Sequence, residues 1–116
     1  MRYMMLIYDL EANSAKMTPK EQKANFDAWM AYDAELIKKG VKLAGDALQP
    51  TATARTVRIR NGKTLATDGP FAETKEQFGG FYILDCKDLD EAVKWASKAP
   101  NAPSGSVEVR PVREFD

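Results

Sequence analysis

Arg2-Tyr3-Met4-Met5-Leu6-Ile7-Tyr8, at the head of the chain, is apolar in both of its alternating sets. Tyr3, Met5 and Ile7 form one set; Met4, Leu6 and Tyr8 form the other. Side chains alternate across a strand, so this run has two apolar faces and belongs in the middle of a sheet. Phe81 to Cys86 repeats the pattern, with Phe81 and Ile83 on one face and Tyr82 and Leu84 on the other. The fold must therefore cover both faces of two central strands.

The elements around these strands are punctuated clearly. Glu11 to Met17 is polar and reads as a loop. Thr18-Pro19-Lys20-Glu21 then supplies a capping-box threonine, a proline at the first helical position and a glutamate at the third. The stripe Phe26, Trp29, Met30, Leu36 and Ile37 predicts an amphipathic helix, stopped by Lys38-Lys39-Gly40. Val41 to Ala44 is a short strand that Gly45-Asp46 breaks or bulges. Gln49 to Ala54 reads as loop. Thr56–Arg60 and Lys63–Thr67 flank Asn61-Gly62, the signature of a type I′ hairpin. Asp68 to Gly80 is a charged connection with turn chemistry at both ends. Asp88, with Glu91 three residues on, opens a second helix whose stripe is Leu89, Ala92, Val93 and Ala96, with Trp95 on the flank and Ala99-Pro100 as its end. Val107 to Val112 is the last strand, and Pro111 places it at an edge or an end.

A β-α-β-β-α-β order, with the Asn61-Gly62 hairpin inserted between its second and third strands, predicts an α+β fold: a ferredoxin-like antiparallel sheet with two helices on one face and an inserted β-hairpin. Two helices cover one face only. The other, apolar on both central strands, is expected to meet a second copy, pairing sheet-to-sheet as a homodimer.

Composition narrows the chemistry. The 116 residues carry 17 basic and 17 acidic side chains, one cysteine and no histidine. Length and a 44% hydrophobic fraction predict a single domain over residues 1–116. Without histidine there is no Ser-His-Asp triad and no imidazole base. Cys86 alone makes neither a zinc site nor an intramolecular disulfide and is expected to be a buried structural thiol. Zero net charge argues against a nucleic-acid partner. No apolar run is long enough to span a bilayer, so no membrane partner is expected. The apolar start lacks a cleavage site, and the protein is read as cytoplasmic.

The segment Asp68-Gly69-Pro70-Phe71-Ala72-Glu73-Thr74-Lys75-Glu76 concentrates the ionisable groups. It is either a solvated loop or a site. In the second case Asp68 projects under the sheet as a partly buried carboxylate suited to general acid–base work. Lys75 is then an anion contact, with Gly69, Phe71 and Glu73 beside it as substrate-binding candidates. Tyr8 is either a packed tyrosine or a group at a cavity mouth. Asp46 either caps a turn or faces the same cavity. Arg58, on one hairpin face with Arg60, either protects an edge or recognises a carboxylate. The acidic spacing matches no calcium loop, so no metal is expected.

That segment, followed by Gly79-Gly80-Phe81-Tyr82-Ile83-Leu84-Asp85, resembles the signature of the DGPF branch of the YCII-related proteins. Tyr3 to Tyr8, Ala44-Gly45-Asp46-Ala47-Leu48, Leu89-Asp90-Glu91-Ala92 and Val107 to Val112 extend the resemblance over nearly the whole chain. It implies a dimeric α+β barrel. It also implies kinship with cofactor-independent enzymes that act on small cyclic molecules, and a genomic link to extracytoplasmic-function sigma factors. Of the His-Asp pair associated with the family, only the acid has a match here, Asp68. Two functions follow. One is a lyase- or isomerase-type enzyme without cofactor, acting on a small organic acid or aromatic-derived molecule, with Asp68 as proton carrier and Tyr8 or Asp46 assisting. The other is a non-catalytic small-ligand sensor or regulatory partner of a sigma factor.

Overall fold

The computed structural model describes residues 1–115. Its elements are β1 (Arg2–Asp9), α1 (Glu11–Ala15), α2 (Pro19–Lys38), β2 (Lys42–Ala47), a 3-10 turn (Thr51–Thr53), β3 (Arg55–Arg60), β4 (Lys63–Asp68), β5 (Gln77–Asp85), α3 (Leu89–Ser97) and β6 (Ser106–Pro111). β2, β5, β1 and β6 lie in that order in one antiparallel sheet, while β3 and β4 form a separate two-stranded ribbon. The four-stranded order is that of the ferredoxin-like fold. The two strands apolar on both faces, β1 and β5, occupy its centre.

Register assigns the faces. Tyr3, Met5 and Ile7 stand opposite Leu84, Tyr82 and Gly80, and this side carries the core. Met5, Leu36 and Leu84 are fully buried there, each removal from water contributing about 1.5–3 kcal/mol. Met4, Leu6 and Tyr8, opposite Ile83, Phe81 and Phe78, make the other side, away from the core and covered by no helix among the described residues. All six are only half-buried. The molecule is accordingly thin, 48 × 48 × 19 Å, as two layers require. Its radius of gyration is 16.3 Å, against about 13 Å for a compact domain of this length.

Local chemistry explains the boundaries. The Thr18 hydroxyl accepts from the Glu21 N–H at 3.2 Å, and the Glu21 carboxylate accepts from the Thr18 N–H at 3.0 Å. This is the expected capping box, with Pro19 in the first turn. Asn61 and Gly62 both have positive φ, 52° and 73°, as a type I′ turn demands. The Asp88 carboxylate caps α3 by accepting from the Glu91 N–H.

Several expectations are corrected. The predicted loop from Glu11 to Met17 contains α1, and the predicted loop from Gln49 to Ala54 contains the 3-10 turn. Both are too short to show a periodicity. Gly45-Asp46 does not end β2: the irregularity falls between Lys42 and Ala44, and the strand continues to Ala47. Gly45 is needed where it lies, since a Cβ there would meet the Tyr82 ring at 2.6 Å. Gly79-Gly80 lies inside β5 rather than at a turn, with a register shift that accommodates it.

The buried stripe of α2 is Trp29, Tyr32 and Leu36, with Trp29 partly covered. Phe26, Met30 and Ile37 lie roughly a quarter turn round the helix and remain exposed. Tyr32 belongs inside because its hydroxyl donates to the Trp95 carbonyl at 2.7 Å, beside the Met5 sulfur. On α3, Ala92 and Ala96 are buried, whereas Leu89 and Val93 are half exposed.

Candidate functional site

The open side of the sheet is also where the long connection between β2 and β5 returns. Residues 48–56, including the 3-10 turn, make one wall of a groove; Pro70 to Thr74 with Gln77 make the other; Leu6, Tyr8 and Phe78 form the floor. The groove measures about 1110 Å³, at the large end for a small-molecule site. Its lining is largely apolar and aromatic, with Tyr8, Phe71 and Phe78 as its rings and Arg55 and Glu73 as its charges.

Tyr8 ends the open-face set of β1. Its ring tilts against Phe78 with centroids 5.5 Å apart. Burial first, and the Glu108 carboxylate second, push its phenol above the ordinary tyrosine value, while Arg110 pulls it down. The group is thus a proton donor at neutral pH. Its contact with Glu108, at 3.4 Å, is long for a hydroxyl donor and leaves it free to turn to a ligand.

The predicted site residues are only partly brought together. Tyr8, Phe71 and Glu73 line the groove. Gly69 sits behind it, with φ of +96° and its N–H donating to the Ala54 carbonyl at 2.8 Å. Asp68 is not partly buried as expected. It ends a ribbon strand that no layer covers, its side chain is 85% exposed, and it pairs with Arg55 at 3.3 Å. Asp46 is exposed on edge strand β2, opposite Phe81, and caps no turn. Arg58 is half-buried on the ribbon, outside the groove lining, with its guanidinium donating to the Phe71 carbonyl at 3.3 Å. Lys75 is exposed in the connection, outside the lining.

Other groups were not visible as site residues. Asp9 follows Tyr8, and burial pushes its carboxyl above the ordinary aspartate value, as does Glu76; a hydrogen bond from Asn101 opposes them. Asn101 is itself buried, its amide donating to the Tyr8 and Ser106 carbonyls at 3.2 and 3.4 Å. Glu11 accepts from the Thr51 N–H and hydroxyl at 2.8 and 2.9 Å, and its own N–H donates to Gln77 Oε1 at 2.9 Å. Nothing in the spacing of these residues announces them, because each meets its partners across long stretches of chain.

Cys86 is buried, as expected, and burial, with Glu91 and Asp85 close by, pushes its thiol up to about 11. It is a packing residue rather than a nucleophile. Among the described residues no three carboxylate or thiol groups converge as a metal cage requires, and no helix is long and apolar enough to cross a membrane.

Fold and groove together define a class: an α+β chain with a ferredoxin-like sheet, one open apolar face and a groove on that face. The family model of the YCII-related domain matches residues 1–116, and the chain belongs to that family. It is 40% identical over 114 residues to the uncharacterized protein R00369 of Rhizobium meliloti (strain 1021), covering 97% of this chain and 92% of that one. It is also similar to the structure of 5-chloro-2-hydroxyhydroquinone dehydrochlorinase from Burkholderia phenoliruptrix AC1100, in complex with 2,5-dihydroxybenzoquinone. The TM-score is 0.54 at 16% identity, over 99% of this chain and 96% of that one. At that identity the likeness shows the shared fold.

Proposed function

We propose that this protein, of the DGPF branch of its family, is a cytoplasmic, cofactor-independent enzyme for lyase- or isomerase-type proton transfer on a small aromatic-derived molecule or organic acid. The groove carries this reading: an aromatic floor, a phenol held protonated, and a carboxylate in the wall. A ligand ring stacks on Tyr8 and Phe78 with Phe71 beside it. Glu73 takes a proton from the ligand, and the Tyr8 hydroxyl donates to the oxygen where charge develops. Arg55, at the groove's edge, meets an anionic substituent. The likeness to a dehydrochlorinase that holds a dihydroxybenzoquinone supports a ring of that size as the first probe.

The test is calorimetric titration with 2,5-dihydroxybenzoquinone. Tyr8→Phe is expected to weaken binding about tenfold, the loss of one good hydrogen bond. Equal affinity in both proteins would remove Tyr8 from the site. The exposure of Asp68 favours the second reading, a non-catalytic sensor using the same groove. Saturable binding without turnover, across a panel of hydroxylated and chlorinated quinols, would decide for it.

The working unit we propose is a homodimer. Met4, Leu6, Phe81 and Ile83 form an uncovered apolar patch. The ribbon exposes Val57 at 63% and Ile59 at 65%, and an isolated two-stranded ribbon is marginal in water. Residues 55–68 hold four basic side chains and one acid, so the rest of this neutral chain is acidic and complementary to a second copy's ribbon. A second copy on the open face would also desolvate the ribbon's base. Light scattering is expected to give twice the 12.9 kDa of one chain. A monomer at micromolar concentration would sink the pairing.

A further inference from the structure

The two walls of the groove meet at one residue that does not line it. Glu11 stands at the start of α1. Its carboxylate grips the first wall through both the N–H and the hydroxyl of Thr51, at 2.8 and 2.9 Å. Its backbone N–H holds Gln77 Oε1 at 2.9 Å, and the Gln77 amide in turn donates to the Thr74 carbonyl at 2.7 Å, in the second wall. The helix around it has little else to hold it. α1 is five residues long, buries no residue, and its N-cap, Leu10, makes no side-chain capping bond. A helix this short does not persist in water on its own propensity.

We infer that Glu11 is the positioning residue of the groove, joining the Thr51 wall to the Gln77–Thr74 wall and so setting the distance between them. The carboxylate anchors α1, and anchored α1 presents the N–H that Gln77 needs. Release of the carboxylate therefore frees the far wall too, although no bond to that wall has been removed. A local structural contact would loosen the Thr51 segment alone. The consequence for ligand binding rests on the function proposed above; the coupling of the walls does not.

Amide hydrogen exchange of the full chain tests the coupling. Glu11→Ala is expected to speed exchange about tenfold in both 48–54 and 74–79 while β1 and residues 80–85 of β5 keep their protection. Glu11→Gln keeps an acceptor for the Thr51 N–H and offers a donor to its hydroxyl oxygen, and is expected to restore protection in both segments. Faster exchange in 48–54 alone, or no change in either, would overturn the inference. Should the alanine variant lose protection throughout, Thr51→Val, which removes only the hydroxyl bond, must still speed exchange in 74–79. Titration with 2,5-dihydroxybenzoquinone is run on the same proteins. Affinity is expected to fall about tenfold in Glu11→Ala and to recover in Glu11→Gln. Coupled exchange without any binding by the parent protein would leave the positioning role standing and remove the proposed function.

Discussion

One sheet has two apolar faces with different fates. On the helix side, Leu84 and Met5 are sealed under Leu36 and Tyr32. On the other side their sequence neighbours Ile83 and Met4, just as apolar, are half-exposed. The sealed face is a core, closed by local signals: a capping box, a glycine stop and an aspartate cap. The open face is, in our proposal, paved for a ligand and for a second copy. A residue's contribution here depends less on its hydrophobicity than on which side of the sheet its position in the alternation assigns it.

Substitutions on the two faces separate these roles. Leu84→Ala, at a position with no exposed surface, is expected to cost about 2–5 kcal/mol in chemical denaturation, whatever the protein concentration. Ile83→Asp, one residue away on the open face, is expected to raise the dimer dissociation constant by at least tenfold, about 1.4 kcal/mol, measured by analytical ultracentrifugation. A Leu84→Ala variant no weaker than Ile83→Ala at high dilution would erase the distinction between the faces. Thr18→Ala removes a cap far from both and is expected to cost about 1 kcal/mol.

The smallest effect is a pH dependence at the end of β1. Asp9 holds its proton more tightly in the folded chain than at its ordinary value of 3.8. Its contribution is therefore fully present below that value and is lost as pH rises through the folded one. Asp9→Asn is expected to be the more stable protein at pH 7 and to lose that advantage near pH 3. The difference is below about 1 kcal/mol, since water still reaches the carboxylate. A stability gap that stays flat between pH 3 and 7 would show that Asp9 is not desolvated.

Where the sequence was legible, a local rule decided the outcome. The alternation in 2–8 and 81–86, Thr18-Pro19 and Asn61-Gly62 each specify structure within a few residues, and they suffice for the ferredoxin-like order. The α2 stripe was right at Trp29 and Leu36 and missed Tyr32, which looks amphipathic until Trp95 supplies a carbonyl for its hydroxyl. α1 and the 3-10 turn were hidden because they owe their order to Glu11, Thr51 and Gln77, which are far apart in the chain. Of the proposed site, Tyr8, Phe71 and Glu73 were legible from strand end and motif. Asp68 was misplaced because sequence order does not reveal that the ribbon leaves the sheet.

Cys86 has a use of its own. It is the one thiol of the chain, 2% exposed, with its proton held up to about 11. A thiol reagent in neutral buffer reaches it only when the strand end beside α3 opens. The rate of single-site labelling thus measures the free energy of that opening in the native protein, without denaturant or an engineered residue. A cysteine introduced anywhere on the surface would react long before it, so a dye placed on the ribbon would report on pairing while Cys86 keeps a separate record of unfolding.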